Sequence, residues 1–373
     1  QMCIRDSRSP IQRFDERDTM FARMARREGT PPYADYYSRR PELKKTDDRI
    51  RNMPGLCQPG GLHYHPEMSP RADRYFEEIY DIEPDEKSVD DWKAKIVASP
   101  HPTDTVKELA QALGAVAVGC APLEQEFVYT HKGRLDEDYS HAIQLDHPSV
   151  IVFLVEMDFE AMQRAPEAET IRESARQYYR AAVVSKTVEA VLKACGFEAK
   201  SHHDAHYDII LPPLADRAGL GEVGRNNILI ADNYGSRVRI GGITTDMPLE
   251  YNKPADLGAE HFCKVCKKCA ENCPSHALSL EDKEEVRGNL KWPTDVERCY
   301  AYWRAVGTDC GICMASCPFS HKNNWFHNMI RWMVRIGPGT HRLLLFLDQI
   351  VYGRKWHHGK GWASNDDVAT SGD

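Results

Sequence analysis

Apolar positions are sparse over the first 75 residues, which are rich in Arg, Pro and Tyr. That stretch predicts an irregular arm wrapped on another part of the molecule, within an N-terminal unit assigned to 1–100. Periodicity begins at Thr103–Leu113, where a polar cap and spaced apolar residues predict a short helix stopped by Gly114. Ala115–Gly119 and Val150–Val155 are unbroken apolar runs of strand length. Between Glu167 and Ala194, residues Ile171, Ala175, Tyr178, Ala182, Val188, Val191 and Leu192 recur at helical spacing, so a long helix is expected, closed by Gly196. Tyr207–Leu211, Ile228–Ile230 and Val238–Ile243 read as further strands. This succession predicts one α/β (α+β) domain over 101–255.

At His261 the pattern gives way to cysteine, lysine and short spacings, which marks a smaller domain over 256–325. The rest, 326–373, reads as an amphipathic helical extension (Trp325 to Gly353) packed back on the core, with a disordered polar end. The two cysteine motifs resemble each other, but no solenoid-type repeat is present.

Charge and signals narrow the partners. Lys+Arg number 48 against 56 Asp+Glu, a net charge of −8, and no basic stretch is interleaved with aromatics, so no nucleic-acid partner is expected. Twin arginines at Arg26-Arg27 and Arg39-Arg40 lack the apolar run an export signal needs. The run Leu343–Leu347 is too short to span a bilayer. The expectation is a cytoplasmic protein without a membrane partner. The sequence begins on Gln, so it need not start at the native N-terminus.

Of twelve cysteines, eight fall in one stretch, while Cys3, Cys57, Cys120 and Cys195 are scattered. Such clustering indicates metal chemistry in a reducing compartment rather than disulfides. Cys263-x2-Cys266-x2-Cys269-x3-Cys273-Pro274 is a full bacterial ferredoxin run, and Cys310-x2-Cys313-x3-Cys317-Pro318 is a second, with Cys299 upstream as its remaining ligand. Tight spacings present three thiolates to one cube, and the cysteine before proline crosses to the other. Cys263, Cys266, Cys269 and Cys317 are thus expected to hold one [4Fe–4S] cluster, and Cys273, Cys299, Cys310 and Cys313 the other. Zinc, the alternative, prefers paired CxxC knuckles on a longer loop.

Gly219, Gly221 and Gly224 spell GxGxxG, but Pro212-Pro213 precedes them and a strand follows, which disfavours a nicotinamide fingerprint. The glycines, with Arg225 and Asn226, are instead expected to lie against another large cofactor. Asp204-x-His206 resembles the start of the DxHxxG signature that places histidine under cobalt, but position 209 is Ile. His202, His203 and His206 read more readily as core-edge or solvated histidines than as a metal site.

The blocks GLGEVGRNNILI, NYGSRVRIGGITTDMPL, HFCKVCKKCAENCPSHAL and CYAYWRAVGTDCGICMASCPFSH, in this order, resemble those of the cobalamin-dependent reductive dehalogenases. The likeness runs from about Ala115 to Phe319 and is shared more weakly with epoxyqueuosine reductase. It implies base-off cobalamin in a nitroreductase-like core, followed by a ferredoxin-like domain with two [4Fe–4S] clusters that feed electrons to Co(I) cobalamin. It also implies halide removal from an organohalide, with a halogenated aromatic expected, and a tyrosine proton donor. By this resemblance the donor is Tyr178, with Tyr179 as the register alternative, and its arginine partner is Arg237. A third polar residue of the family falls near His203-Asp204, where this chain departs. An external ferredoxin or flavin reductase is implied as electron donor; oligomeric state is not implied. The alternatives are an epoxyqueuosine-reductase-like enzyme and a two-cluster electron carrier without organic cofactor.

Overall fold

The computed structural model describes residues 11–357; the expected disordered end and the first ten residues lie outside these. The expected irregular arm is helical: α1 (Met20–Ala25), α2 (Pro31–Arg39), α3 (Pro41–Arg51), α4 (Met68–Glu78) and α5 (Glu86–Ala98). Its helices are short and start on Thr or Asp caps or on Pro at the first turn, so side-chain polarity hid the pattern. The arm grips distant parts of the chain. Buried Arg23 pairs with Asp47 and reaches Glu297, while Glu16 accepts the Gly133 N–H at 2.7 Å.

After α6 (Pro102–Ala112) come β1 (Ala117–Pro122) and β2 (Ser149–Glu156), then α7 (Phe159–Met162), α8 (Ala168–Ala194) and β3 (Ala199–His202). Next are α9 (Leu211–Arg217), β4 (Gly221–Val223), β5 (Leu229–Ala231) and β6 (Val238–Thr245). The main sheet has the order β1-β2-β6-β3, with every pairing antiparallel. β2 sits inside it, buried on both faces, and this explains its continuous apolar run. Its residues Ile151, Phe153 and Val155 pack against Val184, Val188 and Val191 of α8. The alternate residues Val150, Val152 and Leu154 pack against Leu214 and Ala215 of α9. Each such fully buried side chain contributes on the order of 1.5–3 kcal/mol.

Two expected boundaries change. Tyr207–Leu211 is not a strand: Ile209 makes one isolated bridge to Val128, and α9 begins at Leu211. The missed edge strand is β3, whose sequence AKSH alternates too weakly to signal burial.

The cysteine-rich part contains α10 (Ala259–Cys266), α11 (Lys268–Glu271), a β7–β8 hairpin (Glu284–Val286, Asn289–Lys291), α12 (Val296–Val306) and α13 (Ile312–Ala315). Two final helices, α14 (Trp325–Ile336) and α15 (His341–Tyr352), pack Val334, Leu344 and Leu345 onto the thiol-bearing core.

Candidate active site and iron–sulfur region

Short helices broken by left-handed residues present the thiols. Lys267 (φ 58°) separates α10 from α11, and Cys310 (φ 59°) with Gly311 (φ 75°) precedes α13, so the chain turns sharply between neighbouring cysteines. The thiols gather in two groups. Cys263, Cys266 and Cys317 pack together beside Phe262, whereas Cys269, Cys299 and Cys313 pack around Cys273. Cys317 therefore lies beside Cys263 and Cys266 of the first motif, and Cys273 beside Cys299 and Cys313 of the second. Burial raises the thiol pKa values, to about 12 at Cys266 and Cys310 and about 11 at Cys299. A buried thiolate needs a cationic partner, which a cluster iron provides. Among the described residues no three ligating side chains converge as they would on a single ion.

The Gly219–Asn226 segment links the sheet domain to this region. A Cβ at Gly219 (φ +77°) would lie 2.4 Å from the Lys253 carbonyl oxygen, and one at Gly221 would lie 2.2 Å from that of Ile230. One at Gly224 would strike the Ile230 side chain at 2.6 Å, so at all three positions protein fills the space a side chain would need. Between them, the Glu222 carboxylate accepts the N–H groups of Leu257 (2.5 Å) and Glu260 (2.9 Å) at the start of α10, where the helix dipole favours an anion. Arg225 donates to the carbonyls of Cys263, Ser279 and Glu281 and lies 4.9 Å over the Trp292 ring. Asn226 is also internal, bonding Ser236 and accepting the Ile228 N–H.

Tyr178 projects from α8 beneath Arg239, whose guanidinium carbon is 4.5 Å from the ring centroid. Burial raises the phenol pKa, and Arg239 opposes this, so the hydroxyl stays protonated at neutral pH while the cation eases proton release. Arg239 is fixed in turn by buried Asp309 at 2.8 Å and by Ser174, one turn before Tyr178 on α8; the Ser174 hydroxyl also donates to Asp309 at 2.5 Å. Asp309 is the residue before Cys310, so the tyrosine–arginine pair is tied directly to the cysteine region. The register alternative Tyr179 instead packs its ring on Tyr75, 5.8 Å away.

Arg237 does not meet Tyr178. It is fully buried and donates to the carbonyls of Ser320 and Met157 and to Glu156. Period-2 geometry puts Arg237 and Arg239 on one face of the strand, but only the second reaches α8. Arg237→Met is expected to destabilise the protein by about 3–5 kcal/mol, because Glu156 and two carbonyls lose their donor. Urea unfolding of both variants checks this: Arg239→Met should be the less destabilising and the more damaging to activity.

Across from Tyr178 stands Arg134, paired with Asp204 at 2.9 Å, hydrogen-bonded to Tyr207 and 5.1 Å from the Phe21 ring centroid. Tyr178, Arg134 and Tyr207 are each half-buried. The histidines do not form a metal site. His202 is fully buried, its pKa lowered to about 3 by desolvation, and it bonds Thr244 and the Asp208 N–H. His203 and His206 line an open polar cleft of about 480 Å³ with Tyr80 and Lys132.

Comparison with known proteins agrees with this architecture. Residues 262–321 match the 4Fe-4S dicluster domain family. The tetrachloroethene reductive dehalogenase of Desulfitobacterium hafniense is 28% identical over 304 residues, covering 69% of this chain and 54% of that protein. The solved structure of the catabolic reductive dehalogenase NpRdhA superposes with a TM-score of 0.72 over 95% of this chain and 48% of its own, at 24% identity. The chain is related to the reductive dehalogenases. The epoxyqueuosine reductase of Lactococcus garvieae is a weaker relative, 32% identical over 120 residues, covering 31% of this chain and 33% of that protein. The chain spans about half the length of the dehalogenase relatives.

Sequence reasoning missed Arg239, Asp309 and Arg134. The first two carried a signal: Arg239 shares a strand face with Arg237, and Asp309 adjoins a motif cysteine. Arg134 carried none, because its loop is positioned by Glu16 and Arg26 of the N-terminal arm.

Proposed function

We propose that this chain is the catalytic part of a reductive dehalogenase that uses base-off cobalamin and two [4Fe–4S] clusters. The observation that carries the reading is Tyr178 beneath Arg239, with Arg239 tied through Asp309 to the second cysteine motif. Base-off cobalamin bound there would supply a strongly reducing cobalt centre for breaking a carbon–halogen bond. The residues suit such a group: Arg239 Nε, Asp309 Oδ1 and Ser316 Oγ are buried without hydrogen-bond partners, and corrin amides could satisfy them.

The net reaction takes two electrons and one proton, exchanges a carbon–halogen bond for carbon–hydrogen and releases halide. Cys263, Cys266, Cys269 and Cys317 hold one cluster, and Cys273, Cys299, Cys310 and Cys313 hold the other. Electrons enter from an external ferredoxin or flavin reductase. Tyr178 Oη donates the proton, and Arg239 stabilises the resulting phenolate. Arg134, braced by Asp204, places a second cation near Tyr178, which suits a substrate bearing phenolate or carboxylate. NpRdhA has been solved with 3-bromo-4-hydroxybenzoic acid, and halogenated phenols of this kind are the substrates we assign here.

Anaerobic reconstitution with hydroxocobalamin tests the reading. The expected product carries about eight irons with stoichiometric cobalt, and its cob(II)alamin EPR spectrum lacks nitrogen superhyperfine splitting. Full iron with no retained cobalt would leave a two-cluster electron carrier instead.

A further inference from the structure

The last two helices turn apolar side chains away from the protein. Trp325, Met329 and Trp332 recur along one face of α14, and Leu343, Phe346 and Ile350 along one face of α15. Trp325 is 78% exposed and Trp332 59%, while Leu344 and Leu345 on the opposite face are buried beside Cys263, Cys266 and Cys317. The apolar stripe is therefore additional to the one that docks the hairpin.

Charge indicates the occupant. From Lys322 to Lys355 the sequence holds six Lys and Arg and one acidic residue, Asp348, in a chain of net charge −8. Asp348 is turned inward onto Lys268 and His321, both at 2.7 Å. Glu160, Asp232 and Glu271 on neighbouring elements pair with Lys322, Arg335 and Arg354. Arg342 and Lys355 have no carboxylate within ion-pair distance among the described residues, and both are exposed. A protein partner would ordinarily meet a polar rim of both signs. Tryptophan and phenylalanine on an exposed stripe, with Arg342 and Lys355 as its unpaired exposed charges, match the chemistry of an anionic lipid interface. No described helix is long and apolar enough to cross a membrane.

We propose that the outer face of the α14–α15 hairpin seats this protein on an anionic lipid surface, with both helices in the plane of the headgroups. This replaces the expectation of no membrane partner and does not depend on the catalytic reading. The test is co-sedimentation of the full chain with phosphatidylcholine vesicles, with and without phosphatidylglycerol. Binding should require the anionic lipid, weaken with salt and blue-shift tryptophan emission. Trp332→Ser and Phe346→Ser should each weaken partitioning about tenfold, and Arg342→Glu should reduce the dependence on anionic lipid. Leu62→Ser, at an exposed apolar site elsewhere, should change nothing. Unchanged iron content and circular dichroism would establish that the variants fold. Absence of vesicle binding at low salt, or binding indifferent to Trp332 and Phe346, would overturn the proposal. So would a dimer that Trp332→Ser converts to monomer, because the face would then belong to a second copy.

Discussion

Replacing Tyr178 by Phe is expected to lower halide release by about 10²–10⁴-fold while iron and cobalt contents stay at wild-type values. The substitution keeps the ring, its packing on Phe76 and the contact with Arg239, and removes only the hydroxyl. The loss therefore reports proton delivery rather than folding. Because burial holds the phenol protonated, wild-type turnover should be insensitive to Tyr178 ionisation through neutral pH and should fall only when the phenol titrates in the alkaline range. Anaerobic halide assays with a bromophenol, on wild type, Tyr178→Phe and Tyr179→Phe, provide the measurement. A full rate in Tyr178→Phe with loss in Tyr179→Phe would move the donor one residue and break its connection to Arg239.

The second large effect is expected at Cys317. Cys317→Ala should remove about half of the iron, from about eight atoms to about four, by dissolving the cluster held with Cys263, Cys266 and Cys269. Sequence proximity alone would place the loss with Cys310 and Cys313, a few residues away. In the structure Cys317 is packed with Cys263 and Cys266 in the core that also holds Phe262 and Phe319. The reciprocal variant, Cys273→Ala, should empty the other site. Iron analysis with EPR of the reduced protein distinguishes the two clusters. Disappearance of the same signal in both variants would show that the two motifs do not exchange ligands.

The tertiary arrangement also gives the N-terminal arm a role that its composition concealed. Glu16 and Arg26 hold the 133–134 backbone, and this places the Arg134 side chain against Asp204 and Tyr207. Arg304 of α12 donates to the carbonyls of Arg51 and Met53, so the same arm is anchored on the cysteine-rich region. Disturbing the arm would therefore reach the surroundings of Tyr178 through Arg134 and the iron–sulfur region through α12.

Some features were legible in the sequence because their physics is local. The cysteine spacings follow from how tightly a turn can present thiols. The long α8 helix followed from its 3.6-residue period, and β2 from an apolar run that only a strand covered on both faces can bury. Other features required the folded chain. Whether Arg237 or Arg239 meets Tyr178 depends on where α8 crosses β6, since both arginines share a strand face. The Gly219–Asn226 segment satisfies a ligand-binding pattern, yet close approach of Lys253 and Ile230 uses its glycines for protein packing. The N-terminal helices and β3 went unseen because their partners are distant in sequence and their own apolar periodicity is weak. The sequence by itself determined the thiol set and the core elements, whose signals lie within one turn or one strand. Only the tertiary structure decided which charge faces the phenol, because that contact joins a helix, a strand and a cysteine loop far apart in the chain.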